Sequence, residues 1–209
     1  MNKKRYQKTF VITCLLTLLP ILVGLLLYNK LPARMAIHFG LNDSPNGFAA
    51  KIWAICAIPI LMLLLQLLVF YLIAHESKTG SLNFKIVNIT LWFIPIIVNV
   101  TSYSIYAFAL GYPLKMSFVF NILFGLILVI FGNYLPKTRP NGQIGFRLPW
   151  TLNNNVNWQK THHLAGWLML LSGLFLLVTA LDQTMSLFII IILIDLIVPM
   201  IYSYYLSKK

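Results

Sequence analysis

Between Phe146 and Gly166 lies the segment FRLPWTLNNNVNWQKTHHLAG, whose residue types could bind a charged or polar partner. Arg147 carries a planar guanidinium that can hold a phosphate or a carboxylate through two parallel hydrogen bonds. Two interpretations are open: the arginine anchors the chain to lipid phosphate, or the segment holds a peptide or protein. The neighbouring residues that could take part in such binding are Asn141, Pro149, Trp150, Thr151, Trp158, Thr161 and His162.

Catalytic and metal chemistry find little support in the sequence. The chain has only four acidic residues, no glycine-rich phosphate loop and no defensible Ser/His/Asp arrangement. His162 and His163 are adjacent and would point about 100° apart on a helix, whereas paired metal ligands converge on one face. Neither cysteines nor acids cluster with them. We therefore expect no enzyme activity, no metal and no cofactor.

An acidic residue, Asp195, lies inside the apolar run IIIILIDLIVPM. An ionised carboxylate at the centre of a bilayer is costly, so such a residue is expected to face the protein interior, paired or protonated. It could act in a proton relay or as the counter-ion of a Lys or Arg on a ligand. Alternatively, it is a structural residue that is protonated or hydrogen-bonded.

A second set of polar residues recurs along another apolar run at helical spacing, with Asn88 and Asn99 its main members. Residues with this spacing share one face of a helix, and Asn121 on the following run could meet that face. We favour interhelical hydrogen bonding as their role. The alternative is a polar lining for a ligand or ion path.

The composition places all these residues in a membrane protein. Of 209 residues, 59% are hydrophobic and 10% are charged, whereas soluble domains have about a quarter charged. Since no period-two alternation appears, a β-barrel is rejected, and the predicted fold is an all-α bundle of six transmembrane helices. The predicted spans are Thr9–Tyr28, Ile52–Ile73, Ile86–Phe108, Met116–Gly132, Leu164–Ala180 and Met185–Tyr204.

The placement of Lys and Arg predicts the orientation. With a cytoplasmic N-terminus, twelve of the 16 basic residues fall on the inside and four on the outside. Both termini are therefore predicted to be cytoplasmic. The net charge of +12 then reflects attraction to anionic lipid, and no nucleic acid partner is expected.

Two connecting loops are longer than a simple turn requires. The predicted external loop, residues 31–51, contains the turn-forming run NDSPNG, and the predicted cytoplasmic loop spans residues 134–163. Within the latter, Thr151 is predicted to be the N-cap of a short interfacial helix. We divide the chain into residues 1–75, two helices with the external loop, and residues 76–209, four helices with the cytoplasmic loop.

The segment GNYLPKTRPNGQIGFRLPWTLNNNVNWQKTHHLAG resembles the signature of the SdpI family of bacterial immunity proteins. Leu148 and His163 stand where that signature has Thr and Arg. The matching residues are Asn133, Pro136, Lys137, Asn141, Gly145, Arg147, Pro149, Trp150, Thr151, Leu152, Trp158, Thr161, His162 and Gly166.

The external loop is similar to an uncharacterised domain that often precedes the SdpI signature. Asp43 stands where that pattern usually has Gly. The matching residues are Leu31, Pro32, His38, Phe39, Gly40, Asn42, Pro45 and Lys51.

The family resemblance implies a multi-pass protein of the bacterial cytoplasmic membrane that protects the cell against a secreted toxic peptide. Some members of this family also hold a transcriptional repressor at the membrane, so a cytoplasmic repressor is an expected partner beside toxin and membrane lipids. A toxin acting from outside would first meet the external loop, with His38 and Asn42, or the intramembrane polar groups. The cytoplasmic loop would then anchor the chain or signal.

Two other classes of function remain open at this point. A small transporter or channel-like protein would use Asp195 and the face carrying Asn88 and Asn99, and would show substrate flux. A signalling scaffold would lose its partner when Arg147 or Trp150 is altered, yet leave toxin sensitivity unchanged.

Overall fold

The computed structural model describes residues 3–76, 84–140, 145–181 and 185–208. Within these ranges it contains long helices, one short helix and one β-hairpin. They are α1 Lys3–Leu26, β1 Arg34–Phe39, β2 Pro45–Ala50, α2 Lys51–Glu76, α3 Phe84–Ala109, α4 Met116–Tyr134, α5 Pro149–Leu152, α6 Asn155–Val178 and α7 Met185–Ser207. A 3-10 turn, Leu135–Lys137, extends the end of α4.

The prediction of six membrane-spanning helices is confirmed. Helices α1, α2, α3, α4, α6 and α7 are each long and apolar enough to cross a bilayer. The fifth span differs from the prediction, because α6 begins at Asn155 rather than at Leu164. The side chain of Asn154 caps α6 by accepting hydrogen bonds from Val156 N and Asn157 N, each at 3.0 Å. A polar first turn is thus part of the same continuous helix.

The chain forms two compact units, and the first comprises residues 1–40 and 44–116. In it, α3 packs against α1 and α2. Its core at the hairpin end is formed by Leu31, Met35, Ala54, Ile55, Ile105 and Tyr106. The hairpin itself contributes Met35, which is fully buried, so the strands are packed onto the helices.

The predicted compact turn in residues 31–51 is a two-stranded antiparallel hairpin. Arg34 pairs with Ala50 and Phe39 with Pro45, with irregular register around His38. Lys51 closes its base, because the Lys51 ammonium donates to the carbonyls of Tyr28 and Leu31 at 2.9 Å. These strands were not predicted, since the segment lacks the alternating pattern of a longer strand.

The second unit comprises residues 41–43 and 117–209 and contains α4 to α7. Helices α4 and α6 approach closely at glycines. A Cβ on Gly132 would lie 2.5 Å from Leu170 N, and one on Gly173 would lie 2.6 Å from Gly125 O. Only glycines allow backbones to come this near, as in other tightly packed membrane helices.

The boundary between the compact units falls between Met116 and Ser117. The sequence-based division between residues 75 and 76 instead grouped the first two predicted helices with the external loop and the last four with the cytoplasmic loop. Helix α3 belongs with the first unit because it packs on α1 and α2 along its buried side.

Candidate functional site

The loop that precedes α6, residues 145–154, is called the signature loop and is built around α5. Pro149 occupies its first position, which suits a residue without an N–H. The prediction that Thr151 is the N-cap is wrong: Leu148 is the N-cap, and Thr151 is the third helical residue. Its hydroxyl accepts a hydrogen bond from Leu148 N at 2.9 Å and lies 2.5 Å from Phe146 O, to which it donates. Thr151 therefore fixes the chain on both sides of Arg147.

His162 is fully buried and makes two hydrogen bonds with the backbone. Phe146 N donates to its Nε2 at 3.0 Å, so Nε2 is an acceptor. Its Nδ1 consequently carries the proton and donates to Trp158 O at 2.7 Å. The imidazole also stacks on the indole of Trp158, with ring centroids 3.9 Å apart. Both ring nitrogens of this predicted binding residue are thus occupied within the fold.

Trp158 and Thr161 are also buried. The indole Nε1 of Trp158 donates to Thr138 O at 2.9 Å. The hydroxyl of Thr161 donates to Asn157 Oδ1 at 2.9 Å, and Asn157 Nδ2 donates to Ser203 O at the same distance. These bonds tie α6 to α7 and to the segment that follows α4.

Trp150 is half-buried at the junction of α5 and α7. Its Nε1 donates to the hydroxyl of Ser203 at 3.1 Å, and its ring meets Tyr204 edge-on at 5.5 Å. Ser203 and Asn157 were not singled out from the sequence. Asn157 lies four residues before Thr161, a spacing that could have indicated a shared helical face.

Gly145 occupies a position in this loop where the structure leaves no room for a side chain. Its φ is +118°, and a Cβ at this position would lie 2.1 Å from His162 Nε2. Any side chain would strain the backbone and displace the imidazole. The glycine thereby lets the loop pass directly over His162.

Arg147 differs from its neighbours because its side chain is exposed. The two acidic side chains that the structure describes, Asp43 and Asp195, bond to Ser117 and Ser172 rather than to it. Arg147 stands at the rim of a cleft of about 340 Å³. The other lining residues are Phe131, Leu135, Gly145, Phe146, Leu148, Met169, Leu196 and Met200. Nothing in the sequence indicated this cleft, since its apolar lining residues resemble the other apolar residues of the spans.

On the hairpin, His38 and Asn42 are both exposed. His38 Nδ1 lies 2.5 Å from Asn46 Oδ1 across the two strands. In the turn, Asp43 has a φ of 61°, a left-handed conformation that glycine adopts freely and aspartate tolerates. Its carboxylate accepts hydrogen bonds from the N–H and the hydroxyl of Ser117 in the first turn of α4. Asp43 thus fits the position where the family pattern has Gly.

Of the intramembrane polar residues, Asn99 is engaged in the first unit. Its Nδ2 donates to Leu16 O at 2.8 Å and to Pro95 O at 2.7 Å. Asn88 Oδ1 is buried and has no hydrogen-bond partner among the described residues. The structure therefore places Asn99 between helices, as interhelical hydrogen bonding requires.

In the second unit, Asn121 and Asp195 are buried. The side chain of Asn121 has no hydrogen-bond partner within the described part of the chain. Asp195 Oδ1 accepts from the Ser172 hydroxyl at 2.9 Å, whereas its Oδ2 has no partner there. Asn141 lies outside the described residues. In the described ranges, no three His, Cys, Asp or Glu side chains converge to form a metal site.

Comparisons with known proteins support the resemblance. Residues 137–203 match the SdpI/YfhL protein family, and residues 15–63 match a domain of unknown function, DUF1648. The chain is 27% identical over 208 residues to Immunity protein SdpI of Bacillus subtilis (strain 168), covering 97% of this chain and 98% of that protein. No solved structure matches the chain. The predicted recognition is confirmed: this is a multi-pass bacterial membrane protein that carries the SdpI/YfhL family signature behind a DUF1648 segment.

Proposed function

We propose that this protein is an immunity protein that protects a bacterial cell against a secreted, membrane-active toxic peptide. The observation that carries the proposal is the similarity of nearly the whole chain to a protein named for immunity. Protection by binding needs no catalytic group, in keeping with the few acidic residues of the chain.

The hairpin is the proposed contact surface for a toxin that arrives from outside. It exposes the apolar side chains of Ile37 and Phe48 beside the polar His38. The exposed Asn42 in its turn adds a further hydrogen-bonding group. Apolar groups exposed next to polar ones suit an amphipathic peptide, which carries both kinds of surface.

The signature loop has a different proposed role. Thr151, Trp158, Thr161 and His162 are buried and hydrogen-bonded inside the fold, so we assign them to positioning the loop. Arg147 and, in part, Trp150 remain accessible for a cytoplasmic partner or for lipid. Of the residues expected from the sequence to contact a partner, we therefore propose Arg147 and Trp150 for this role, and the exposed Pro149 and Asn141 stay candidates.

A survival assay tests the proposal. The chain is expressed in a sensitive bacterium, which is then challenged with a secreted membrane-active peptide while survival and membrane potential are recorded. We expect the parent chain to preserve both. Phe48→Ser should lose protection at unchanged abundance. Its control, Val156→Ser, replaces another exposed apolar residue at the start of α6 and should still protect. Equal loss in both variants would contradict a hairpin contact, and sensitivity of cells with the parent chain would contradict immunity to that peptide.

The runner-up function is transport through the second unit, favoured by the buried carboxylate of Asp195 with one oxygen left without a partner among the described residues. Asp195→Asn keeps the shape and the bond to Ser172 but removes a titratable group. If the chain is a transporter, this variant should abolish flux across vesicles. If it is an immunity protein of the kind proposed, the variant should still protect.

Variants of the signature loop, expressed in the same sensitive bacterium, test a signalling role. Arg147→Ala and Trp150→Ala would release a repressor held at the cytoplasmic surface without changing toxin sensitivity. Fractionation of the cell into membrane and soluble proteins would reveal this release. No change in any membrane-recruited protein would remove the signalling role and leave immunity untouched.

A further inference from the structure

We propose that the cleft beside Arg147 is a specific site for one anionic phospholipid, with its phosphate on the guanidinium and one acyl chain in the cleft. This inference concerns the lipid ligand of the second unit and does not depend on any toxin. It rests on four properties of the cleft: its charge, its lining, its opening and the state of its backbone groups.

The first property is a positive charge at one end of an apolar cavity, without an acidic partner among the side chains that the structure describes. Arg147 is exposed, and the described acidic side chains are bonded elsewhere, to Ser117 and Ser172. A guanidinium binds phosphate through paired hydrogen bonds and remains charged at any physiological pH. The ligand is therefore expected to carry an anionic head group.

The second property is the chemistry of the lining. Below Arg147 the cleft is lined by Leu148 from the loop, Phe131 and Leu135 from the end of α4, and Met169 from α6. Leu196 and Met200, one helical turn apart on α7, complete it. Among the described lining residues, one charged side chain stands beside mainly apolar ones, which matches a lipid, whose phosphate is followed by a hydrocarbon chain.

The third property is that the cleft opens along the surface of α7. Leu196 and Met200 remain 46% and 44% exposed although they line it. They belong to a helix long and apolar enough to span the membrane. A lipid can therefore enter sideways from the bilayer, without crossing the protein.

The fourth property argues against an extended peptide as the occupant. A bound peptide needs partners for its own N–H and C=O groups. In this loop, however, Phe146 N is bonded to His162, Leu148 N to Thr151, and Phe146 O to the Thr151 hydroxyl. These backbone groups are already occupied, and an acyl chain requires none of them.

Photocrosslinking of the full-length protein tests the proposal. The purified chain is incorporated into phosphatidylcholine vesicles that contain a small fraction of phosphatidylglycerol with a diazirine on one acyl chain. After illumination, mass spectrometry locates the adducts. We expect them to concentrate on Met169, Leu196 and Met200, and to be displaced by unlabelled phosphatidylglycerol but not by additional phosphatidylcholine. This competition needs no variant and so does not depend on how a substitution folds.

Variants then test the contribution of the arginine. Arg147→Gln should lower the adduct yield at limiting probe by about tenfold or more, as expected for loss of a charge-assisted hydrogen bond. The matched control, Lys160→Gln, removes an exposed positive charge in the first turns of α6 and should leave the yield unchanged. Adducts spread evenly over exposed residues such as Leu126, or equal yields in the two variants, would overturn the proposal.

Discussion

The two compact units hold their membrane helices together by different chemistry. In the first unit, prolines within helices leave carbonyls without their usual donors, because proline has no N–H to give to the residue four positions earlier. Pro20 leaves Leu16 O in this state, and Asn99 Nδ2 donates to it at 2.8 Å. Pro95 likewise leaves Leu91 O without its usual backbone donor, and Gln66 Nε2 donates to that oxygen at 3.0 Å.

In the second unit, the contact between α4 and α6 depends on the absence of side chains. A Cβ on Gly166 would lie 2.8 Å from Gly132 O, and a Cβ on Gly132 would lie 2.7 Å from Gly166 O. The backbones therefore touch directly, and dispersion contacts along the two helices supply much of the stability. In the same unit, the hydrogen bonds of His162 and Thr151 hold the signature loop in place.

The two kinds of helix contact predict different responses to substitution. Loss of an amide donor in the first unit leaves one carbonyl oxygen without a partner. The loss of stability is then limited to that of one unsatisfied polar atom. An added side chain in the second unit meets backbone that cannot move aside. We therefore expect the second unit to be the less tolerant of substitution, although fewer interhelical hydrogen bonds from amide side chains occur among its described residues.

The largest expected effect is that of Gly132→Val. Its added Cβ would overlap Leu170 N and Gly166 O, so α4 and α6 must separate, at a cost of roughly 3 kcal/mol or more. Titration with sodium dodecyl sulfate in mixed micelles measures the free energy of unfolding. Leu126→Val, on the exposed face of the same helix, serves as the control and should change it little. Similar losses in both variants would show that helix propensity, not the close contact, is responsible.

A smaller and more local effect is expected for His162→Phe. Phenylalanine can keep the stacking on Trp158, but it offers no acceptor to Phe146 N, which is left buried at a cost of about 1–3 kcal/mol. Hydrogen exchange of the peptide containing Phe146 should accelerate, while exchange in the first unit stays unchanged. His163→Phe, at the exposed neighbouring position, is the control. Unchanged exchange in His162→Phe would remove the assigned positioning role.

The sequence was sufficient for the parts of the fold that depend on local composition. Apolar length predicted all six spans, and turn-forming residues marked the segment that became the hairpin. The start of α6 was placed too late because its first turns are polar, although Asn154 is a favourable cap. Thr151 was taken for a cap because its type suits that role, but Pro149 two residues earlier fixed the helix start.

The hydrogen-bond partners of the candidate site residues could not be predicted from the sequence. Asn99 and Leu16 are 83 positions apart, and no local pattern indicates that one would bond to the carbonyl freed by Pro20. The cleft below Arg147 was equally hidden, since it arises from the way α4, α6 and α7 pack. Long-range pairing and packing defects depend on tertiary structure, which periodicity alone does not encode.

An effect of intermediate size on stability is expected in the first unit, where an amide side chain donates to a carbonyl that a proline leaves without its backbone donor. Asn99→Leu should cost about 1 kcal/mol, because Leu16 O loses its donor. Pro20→Ala restores a backbone N–H to that carbonyl, so in its background the same substitution should cost clearly less. A double-mutant cycle on the free energy of unfolding measures this coupling, expected at about 0.5–1 kcal/mol. The control cycle of Asn99→Leu with Pro59→Ala should show none; coupling of equal size in both cycles would refute the pairing.

The smallest effect on stability is expected for His38→Ala, and this is the substitution that best separates stability from function. His38 is exposed on the hairpin, and among the contacts described it bonds only to Asn46 on the neighbouring strand. The free energy of unfolding should therefore change by no more than about 0.5 kcal/mol. Protection against the toxic peptide should nevertheless fall if the hairpin is the contact surface. Asn46→Ala removes the same cross-strand bond while retaining the imidazole, and is therefore the matched control. Loss of protection in His38→Ala alone would assign the effect to the imidazole, whereas equal loss in both variants would assign it to the shape of the hairpin. Full protection in both would exclude His38 from the contact and leave Phe48 as the test of that surface.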